Sequence, residues 1–248
     1  MFTRLIALSS LLVLASSVLS QELEGDYLYK VSTVRAATGS LAELLEWLHE
    51  VEESGYCDES GVPCPHVMRH TQGDQWDLML ITPMAGWQSY YAAGAAAKRA
   101  RANSQYAELL ARGDAIIAFD VDHFAYGPPL SALNAAHDDN DFYHIEMFEA
   151  AAGKSQELVA QRRMENEYLI ATGQTANMIF RRAAGSDVDV FTIGFHQSLA
   201  AFAAPAAVTV EEKDAAAKAA GFKELSDISF YLRSLISGHH DTLAVKVN

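Results

Sequence analysis

The stretch Tyr29-Lys-Val-Ser-Thr-Val-Arg-Ala-Ala-Thr-Gly39 has a counterpart later in the chain, Tyr143-His-Ile-Glu-Met-Phe-Glu-Ala-Ala-Ala-Gly153. The tyrosine, the Ala-Ala pair and the glycine fall in register at an offset of 114 residues. Each segment predicts a strand and a tight turn, followed by an amphipathic helix. In the first copy the apolar face of that helix consists of Leu41, Leu44, Leu45, Leu48 and Val51. The chain is therefore expected to contain two copies of one α+β unit.

Further matches extend the repeat through both halves. Each copy contains two strand-like segments joined by a glycine turn, which is a hairpin signal. Trp87 and His196 occupy equivalent positions, and each is followed by Gln-Ser at the start of an alanine-rich helix. The matching hairpin segments are residues 67–73 and 77–81 in the first copy and residues 179–185 and 189–193 in the second.

Each half is predicted to end in another helix and strand. Residues 115–126 contain the closing strand of the first half, and residues 228–235 are predicted to form that of the second. The segment Thr209-Val-Glu-Glu212 has the form of a capping box and predicts a helix that stops at Gly221. The tail from Gly238 alternates in polarity and predicts an added edge strand. Each half thus has the order β-α-β-β-α-β, the split βαβ arrangement of ferredoxin-like units.

The predicted organisation has four parts. Residues 1–20 have a short positive start and an uncharged apolar run, so we expect a cleaved signal peptide and no membrane anchor afterwards. Residues 21–126 form the first repeat and residues 127–140, rich in proline and acidic side chains, form the linker. Residues 141–248 form the second repeat with its C-terminal extension. Export places the protein in the periplasm or outside the cell.

Charge and cysteine content narrow the class of partner. The formal net charge of −14 disfavours nucleic acid and anionic lipid, because both require a basic surface. Cys57 and Cys64 share a loop with a glycine and a proline, and export favours a disulfide between them over a metal site. A small-molecule ligand and a homo-oligomer both stay open.

Two units of this kind in one chain resemble the dimeric α+β barrel superfamily in its fused, tandem form. The glycine turn after the first strand and the Gln-Ser helix starts are similar to NIPSNAP-like and antibiotic-monooxygenase-like domains. The resemblance covers residues 26–236 and implies two ferredoxin-like repeats fused into a pseudo-dimeric α+β barrel. It implies a ligand inside the barrel or at its mouth. Superfamily members include cofactor-free monooxygenases, haem enzymes, isomerases and binding proteins, so the cofactor stays unknown.

Strand alternation divides the first strand of the second copy between two faces. The uniformly apolar set is expected to face the helices and the mixed set the barrel interior. A histidine beside a carboxylate in an apolar enclosure suits general-base chemistry or metal ligation, so His144 and Glu146 are the candidate catalytic pair. A structural hydrogen-bonded pair is the alternative. The apolar set is Tyr143, Ile145 and Met147, and the mixed set is Phe142, His144, Glu146 and Phe148.

Other side chains are secondary candidates. His123 could complete a metal set with His144 and Glu146. Arg69 and Arg181 hold matching positions and could bind an anion or pair with Asp77 and Asp189. Adjacent strand residues point in opposite directions, so His239 and His240 could share a metal ion only in a turn. The residues predicted to bind a ligand are His123, Phe142, Phe148, Arg69, Arg181 and His196, and those predicted to bind a metal are His239 and His240.

Three functions compete at this stage. The first is an exported protein that binds a small, largely apolar ligand in or at the mouth of the barrel. The second is an oxidoreductase, either cofactor-free or dependent on haem or another metal, that uses His144 and Glu146. The third is a partner-binding module with a filled barrel. Phosphate-binding loops and serine-hydrolase elbows have no counterpart in the sequence, which disfavours nucleotide and hydrolase chemistry.

Overall fold

The structure is a computed structural model and describes residues 22–247. The predicted signal peptide, residues 1–20, lies outside the described residues. The strands are β1 (Tyr27–Ala36), β2 (His66–Gln72), β3 (Leu78–Ala85), β4 (Ile117–Gly127), β5 (Phe142–Ala150), β6 (Met178–Ala184), β7 (Val190–His196) and β8 (Ile236–Lys246). The helices are α1 (Leu41–Glu53), α2 (Tyr56–Ser60), α3 (Trp87–Tyr91), α4 (Ala93–Gln105), α5 (Ala107–Ile116), α6 (Leu130–Asp139), α7 (Ser155–Ala171), α8 (Leu199–Phe202), α9 (Val210–Ala219) and α10 (Asp227–Leu235).

The eight strands close into one antiparallel barrel in the order β1-β3-β2-β8-β5-β7-β6-β4. Within the halves the orders are β4-β1-β3-β2 and β8-β5-β7-β6, so each half has the same sheet with the same connectivity. Two seams join the sheets, one between β2 and β8 and the other between β4 and β6. The prediction of two ferredoxin-like repeats fused into a pseudo-dimeric α+β barrel is confirmed.

Apolar side chains from all eight strands fill the barrel interior, and most of them are large. Tyr29, Tyr143, Phe180 and Phe191 are fully buried there, and the rings of Phe180 and Phe191 stack with their centroids 4.4 Å apart. The apolar face of β5 belongs to this core, so the prediction that it faces the helices is wrong. Two sheets that face each other exclude water from the interior and require an apolar lining, whereas the helices leave part of the outer face open.

Helix α6 lies within the predicted linker and packs against the barrel core. Leu133 of this helix is fully buried in the barrel core cluster. The ring of His137 stacks on Tyr143 at 5.9 Å, and the Tyr143 hydroxyl donates a hydrogen bond to the carbonyl of Asn140 at 3.0 Å. The segment that connects the halves therefore contributes to the core.

The C-terminal elements differ from the prediction. Residues 228–235 form helix α10 and not a strand, and the predicted edge strand is β8, a central member of the closed barrel. Ile228, Tyr231, Leu232 and Leu235 recur at helical spacing, and this period explains the helix. The capping box at Thr209 and Glu212 is present at the start of α9, as predicted.

The outer face of the first sheet is covered by α1 and α5. Leu44 of α1 packs with Val34 and Leu78 of the sheet and with Ile116 of α5. The predicted disulfide between Cys57 and Cys64 is present and closes the loop around α2. Among the described residues, no helix is both long enough and apolar enough to cross a membrane.

Candidate functional site

A polar cluster lies on the outer face of the second sheet. His144 and Glu146 project from β5 on the face opposite to the barrel core, beside Asp241 of β8, which lies directly across from Glu146. His144 Nε2 and Asp241 Oδ1 are 2.8 Å apart. One ligand atom from each of the three side chains lies within 4.8 Å of the others. His144 and Glu146 therefore lie close together on one face, as predicted, but the prediction that they face the barrel interior is wrong.

Helix α7 supplies the buried counter-charge of this cluster. The Arg162 side chain is only 2% exposed, and its Nη1 lies 3.4 Å from Glu146 Oε2. The same guanidinium donates to Glu165, one turn further along the helix, and to Gln161 Oε1 at 2.7 Å. Thr192 of β7 donates its hydroxyl to Glu146 Oε2 at 3.3 Å. Glu146 is thus held beneath the helix by both Arg162 and Thr192.

The pKa values of Glu146 and Glu165, the two carboxylates that contact Arg162, shift in opposite directions. Burial raises the pKa of Glu146, but the contact with His239 and the positive charges of Arg162 and His144 outweigh it and hold that pKa below its ordinary value. Burial raises the pKa of Glu165, and the negative charge of Glu146 adds to this effect, while Arg162 opposes it. Carboxyl groups separated in this way are typical of sites that hold and transfer protons.

Aromatic side chains border the exposed side of His144. Phe202 of α8 lies 4.9 Å from the His144 ring, 5.2 Å from His196 and 5.7 Å from Phe142. Burial lowers the pKa of His196, and a charge on His144 lowers it further. A Cβ at Gly194 would lie 2.9 Å from His196 Nε2, so the glycine makes room for the imidazole.

The two adjacent histidines of β8 point to opposite faces. His239 stacks on Phe148 at 4.9 Å, and its Nε2 lies 3.5 Å from Glu146 Oε1. His240 instead places Nδ1 3.3 Å from Asp74 Oδ2. The two histidines do not share one ion site, because they lie in a strand and not in a turn.

A cavity of about 370 Å³ opens beside the cluster. It lies between β8 and the turn that joins β2 to β3, at the seam of the two halves. Asp241 and His239, which contact His144 and Glu146, are among its lining residues, whereas His144 and Glu146 are not. Its lining consists of Gly73, Asp74, Gln75, His239, His240 and Asp241.

His123 lies away from this cluster. It faces the barrel interior, where it is 3% exposed and its ring lies 5.6 Å from Phe191. Burial lowers the pKa of His123 to about 4. Since His144 is on the outer face, the predicted metal set of His123, His144 and Glu146 does not form.

The two matching arginines also lie elsewhere. Arg181 pairs with Asp26 at 2.6 Å, and Arg69 lies on β2 opposite Leu78 and Val245. Asp77 pairs instead with Arg35 at 3.6 Å, and Asp189 pairs with Arg182 at 2.6 Å. The predicted pairing of Arg69 and Arg181 with those two aspartates is therefore wrong.

The first half packs the equivalent place differently. Lys30 and Ser32 occupy the positions of His144 and Glu146, and both bond to Asp122, the counterpart of Asp241. The side chains around them are apolar where those of the second half are polar or charged. The first half has Leu48, Val51 and Leu80 at the positions that Arg162, Glu165 and Thr192 occupy in the second half.

Sequence reasoning missed Arg162, Glu165 and the role of Asp241. The repeat itself carried the signal for the first two, because at the offset of 114 a charged residue replaces an apolar one at a buried helical position. The position of Asp241 opposite Glu146 could be predicted only from the strand register, which the sequence alone does not provide.

Two solved structures resemble this chain over nearly its full length. An anthrone oxidase-like protein matches with a TM-score of 0.57 at 11% identity, over 92% of this chain and 94% of that one. A candidate monooxygenase from Fusobacterium nucleatum matches with a TM-score of 0.56 at 7% identity, over 89% and 92%. No protein-family model and no curated protein matches the sequence. The chain has the fold of the dimeric α+β barrels, and at these identities the likeness concerns the fold alone.

Proposed function

We propose that the chain is an oxidoreductase-type enzyme that acts on a small, largely apolar molecule at the outer face of the second sheet. His144 and Asp241 face the substrate, and Glu146 supports them from behind. The observation that carries this proposal is the buried charged cluster around Arg162. Buried ion pairs seldom stabilise a fold more than apolar packing does. Since the first half uses apolar packing at the same place, folding alone gives no reason for the charges.

The chemistry of the exposed side chains supports this class of reaction. Oxidation of an acidic O–H or C–H bond releases a proton, and the His144–Asp241 pair offers a proton acceptor at the surface of the cluster. Phe142 and Phe202 provide an apolar wall for a ring-shaped molecule. The two structural neighbours are named as an oxidase-like protein and a candidate monooxygenase. Those names belong to the other proteins, and they indicate which reaction to test first.

The other two functions predicted from sequence fit less well. A ligand inside the barrel would have to displace Tyr29, Tyr143, Phe180 and Phe191, all of which are fully buried. A filled barrel agrees with a partner-binding module, but such a module does not require a histidine–carboxylate pair with a buried counter-charge.

Oxygen uptake tests the proposal. The protein is mixed with a panel of phenols, hydroquinones and anthrones while dissolved oxygen is recorded. We expect uptake with at least one compound, and His144→Ala should lower the rate by about 100-fold or more, as removal of a general base does. His49→Ala, a surface histidine paired with Glu53, is the matched control and should keep the rate. Equal rates for His144→Ala and the unaltered protein would refute the proposal.

We also propose that the chain is exported and loses residues 1–20. The disulfide between Cys57 and Cys64 supports this, because such bonds persist mainly in oxidising compartments. The intact mass of protein recovered from the periplasm or medium should correspond to a start near Gln21. Recovery of only the full-length chain, from the cytoplasm, would contradict export.

A further inference from the structure

We propose that His144, Glu146 and Asp241 form a binding site for a divalent first-row transition-metal ion. The inference deepens the proposed function, since it names a cofactor for the same site, and its catalytic meaning rests on that function. With an ion bound, His144 and Asp241 would be its ligands, and a water on the ion would replace them as the proton acceptor. The binding of the ion can be tested without any substrate.

The geometry of paired strands brings these ligands together. Glu146 and Asp241 are direct cross-strand neighbours on one face, and His144 precedes Glu146 by two residues, the spacing that returns to that face. The three donor atoms lie within 4.8 Å of one another. Ligands of one ion at about 2.0–2.2 Å from the metal lie at most about 4.4 Å apart. Rotation of the three side chains would therefore have to bring the donor atoms slightly closer together around an ion.

The charge balance of the cluster leaves room for a cation. Glu146, Asp241 and Glu165 are three carboxylates, and Arg162 is the one guanidinium that contacts two of them. With neutral imidazoles, the two ligand carboxylates exceed the single positive charge of Arg162 by one, and by two when Glu165 is ionised as well. Carboxylates directly opposite each other on neighbouring strands repel, and a divalent ion between them would remove that cost.

At the equivalent place in the first half, a lysine side chain supplies the positive charge. Lys30 stands where His144 stands in the second half, and its ammonium lies 3.2 Å from Asp122 Oδ2. Ser32 replaces Glu146, so that site has one carboxylate and its own counter-ion. The second half exchanges the lysine for an imidazole and adds a carboxylate. This exchange converts an internal ion pair into a set of ligands for an external ion.

The donor set indicates the kind of ion. One imidazole and two carboxylates suit Zn²⁺, Fe²⁺ and Mn²⁺, whereas Cu⁺ prefers sulfur ligands. The Asp241 side chain is 55% exposed and borders the cavity of about 370 Å³. A metal held by three protein ligands would keep a position open for water or substrate. His239, 3.5 Å from Glu146, is placed to orient that carboxylate.

The test measures metal binding by the full-length mature protein after removal of metals with EDTA. Zn²⁺, Mn²⁺ and Co²⁺ are titrated by calorimetry, and the visible spectrum of bound Co²⁺ reports on its ligands. We expect one ion per chain with a dissociation constant in the micromolar range or tighter. His144→Ala and Asp241→Asn should each weaken binding by about tenfold or more and change the Co²⁺ spectrum. Asp241 is half exposed, so its variant should fold, and circular dichroism checks this.

Asp122→Asn is the matched control, because it alters the counterpart of Asp241 in the first half, and it should leave metal binding unchanged. Two results would overturn the inference: binding weaker than millimolar for all three ions, or binding by His144→Ala and Asp241→Asn that is as tight as that of the unaltered protein. Metal binding without oxygen uptake would refute the proposed function and leave the metal site standing. Oxygen uptake that depends on His144 in a protein that binds none of the three ions would refute the metal site and leave the proposed function standing.

Discussion

His123 shows how burial alone can fix the charge of a side chain. The imidazole lies inside the barrel next to Phe191, where water does not solvate its protonated form, and its pKa falls to about 4. From the sequence, His123 is a candidate to complete a metal set with His144 and Glu146 and to bind a ligand. Phe191, which its ring contacts, comes from the other half of the chain, so neither its burial nor its distance from His144 could be predicted from local pattern.

The lowered pKa of His123 gives a pH dependence of stability with a definite sign. Between about pH 6.5 and pH 4 the unfolded chain binds a proton at His123 and the folded chain does not, so the free energy of unfolding falls as the pH falls. The loss from this group amounts to at most about 3 kcal/mol and is complete near pH 4.

His123→Leu should therefore reduce the loss of stability between pH 7 and pH 4, as measured by urea unfolding at each pH. Part of the loss should persist, because burial also lowers the pKa of His137 to about 4. An identical pH dependence in the variant and the unaltered protein would contradict the burial of His123.

At the scale of elements, helix α6 connects the two halves and also packs into the barrel core. Leu133 is fully buried against the barrel, whereas Ser131, two residues earlier, is exposed. Leu133→Ala should lower the free energy of unfolding by about 2–5 kcal/mol, as expected for a buried leucine. Ser131→Ala is the control and should change it by less than about 0.5 kcal/mol. Similar small effects at both positions, measured by urea unfolding, would mean that α6 does not close the barrel core.

The elements with the clearest periodicity were predictable. The repeat at offset 114 identified β1, β5 and the helices that follow them, and the glycine turns identified the two hairpins. The apolar run at residues 228–235 was expected to be the closing strand of the second half, but its apolar spacing is helical, and the strand begins only at Ile236. The second half does end in a strand, as the first half does, and the run before it is a helix because its apolar residues recur at the helical period.

At the scale of the whole molecule, two copies of one unit close a barrel that neither copy could close alone. The duplication predicted this fold correctly, since edge strands of one sheet need the other sheet as a partner. The side of the sheet that carries the site was not predictable in the same way. One face of β5 is apolar and the other is mixed, but this pattern alone does not decide which face lies inside. The contacts of Glu146 with α7 show that the mixed face lies outside.

The central claim is that the cluster around Arg162 serves chemistry and is not needed for folding. The measurement that tests it most directly is the free energy of unfolding of two variants in urea. Arg162→Leu alone leaves Glu146 and Glu165 buried without their counter-charge and should lose about 3–5 kcal/mol. The second variant gives the second half the residues of the first: Glu146→Ser, Arg162→Leu, Glu165→Val and Thr192→Leu.

We predict that this fourfold variant recovers most of the stability lost by Arg162→Leu, because apolar packing replaces the charges together with their partners. It should at the same time lose metal binding and oxygen uptake. A fourfold variant as unstable as Arg162→Leu alone would contradict the account, since it would show that the charged cluster holds the second half together.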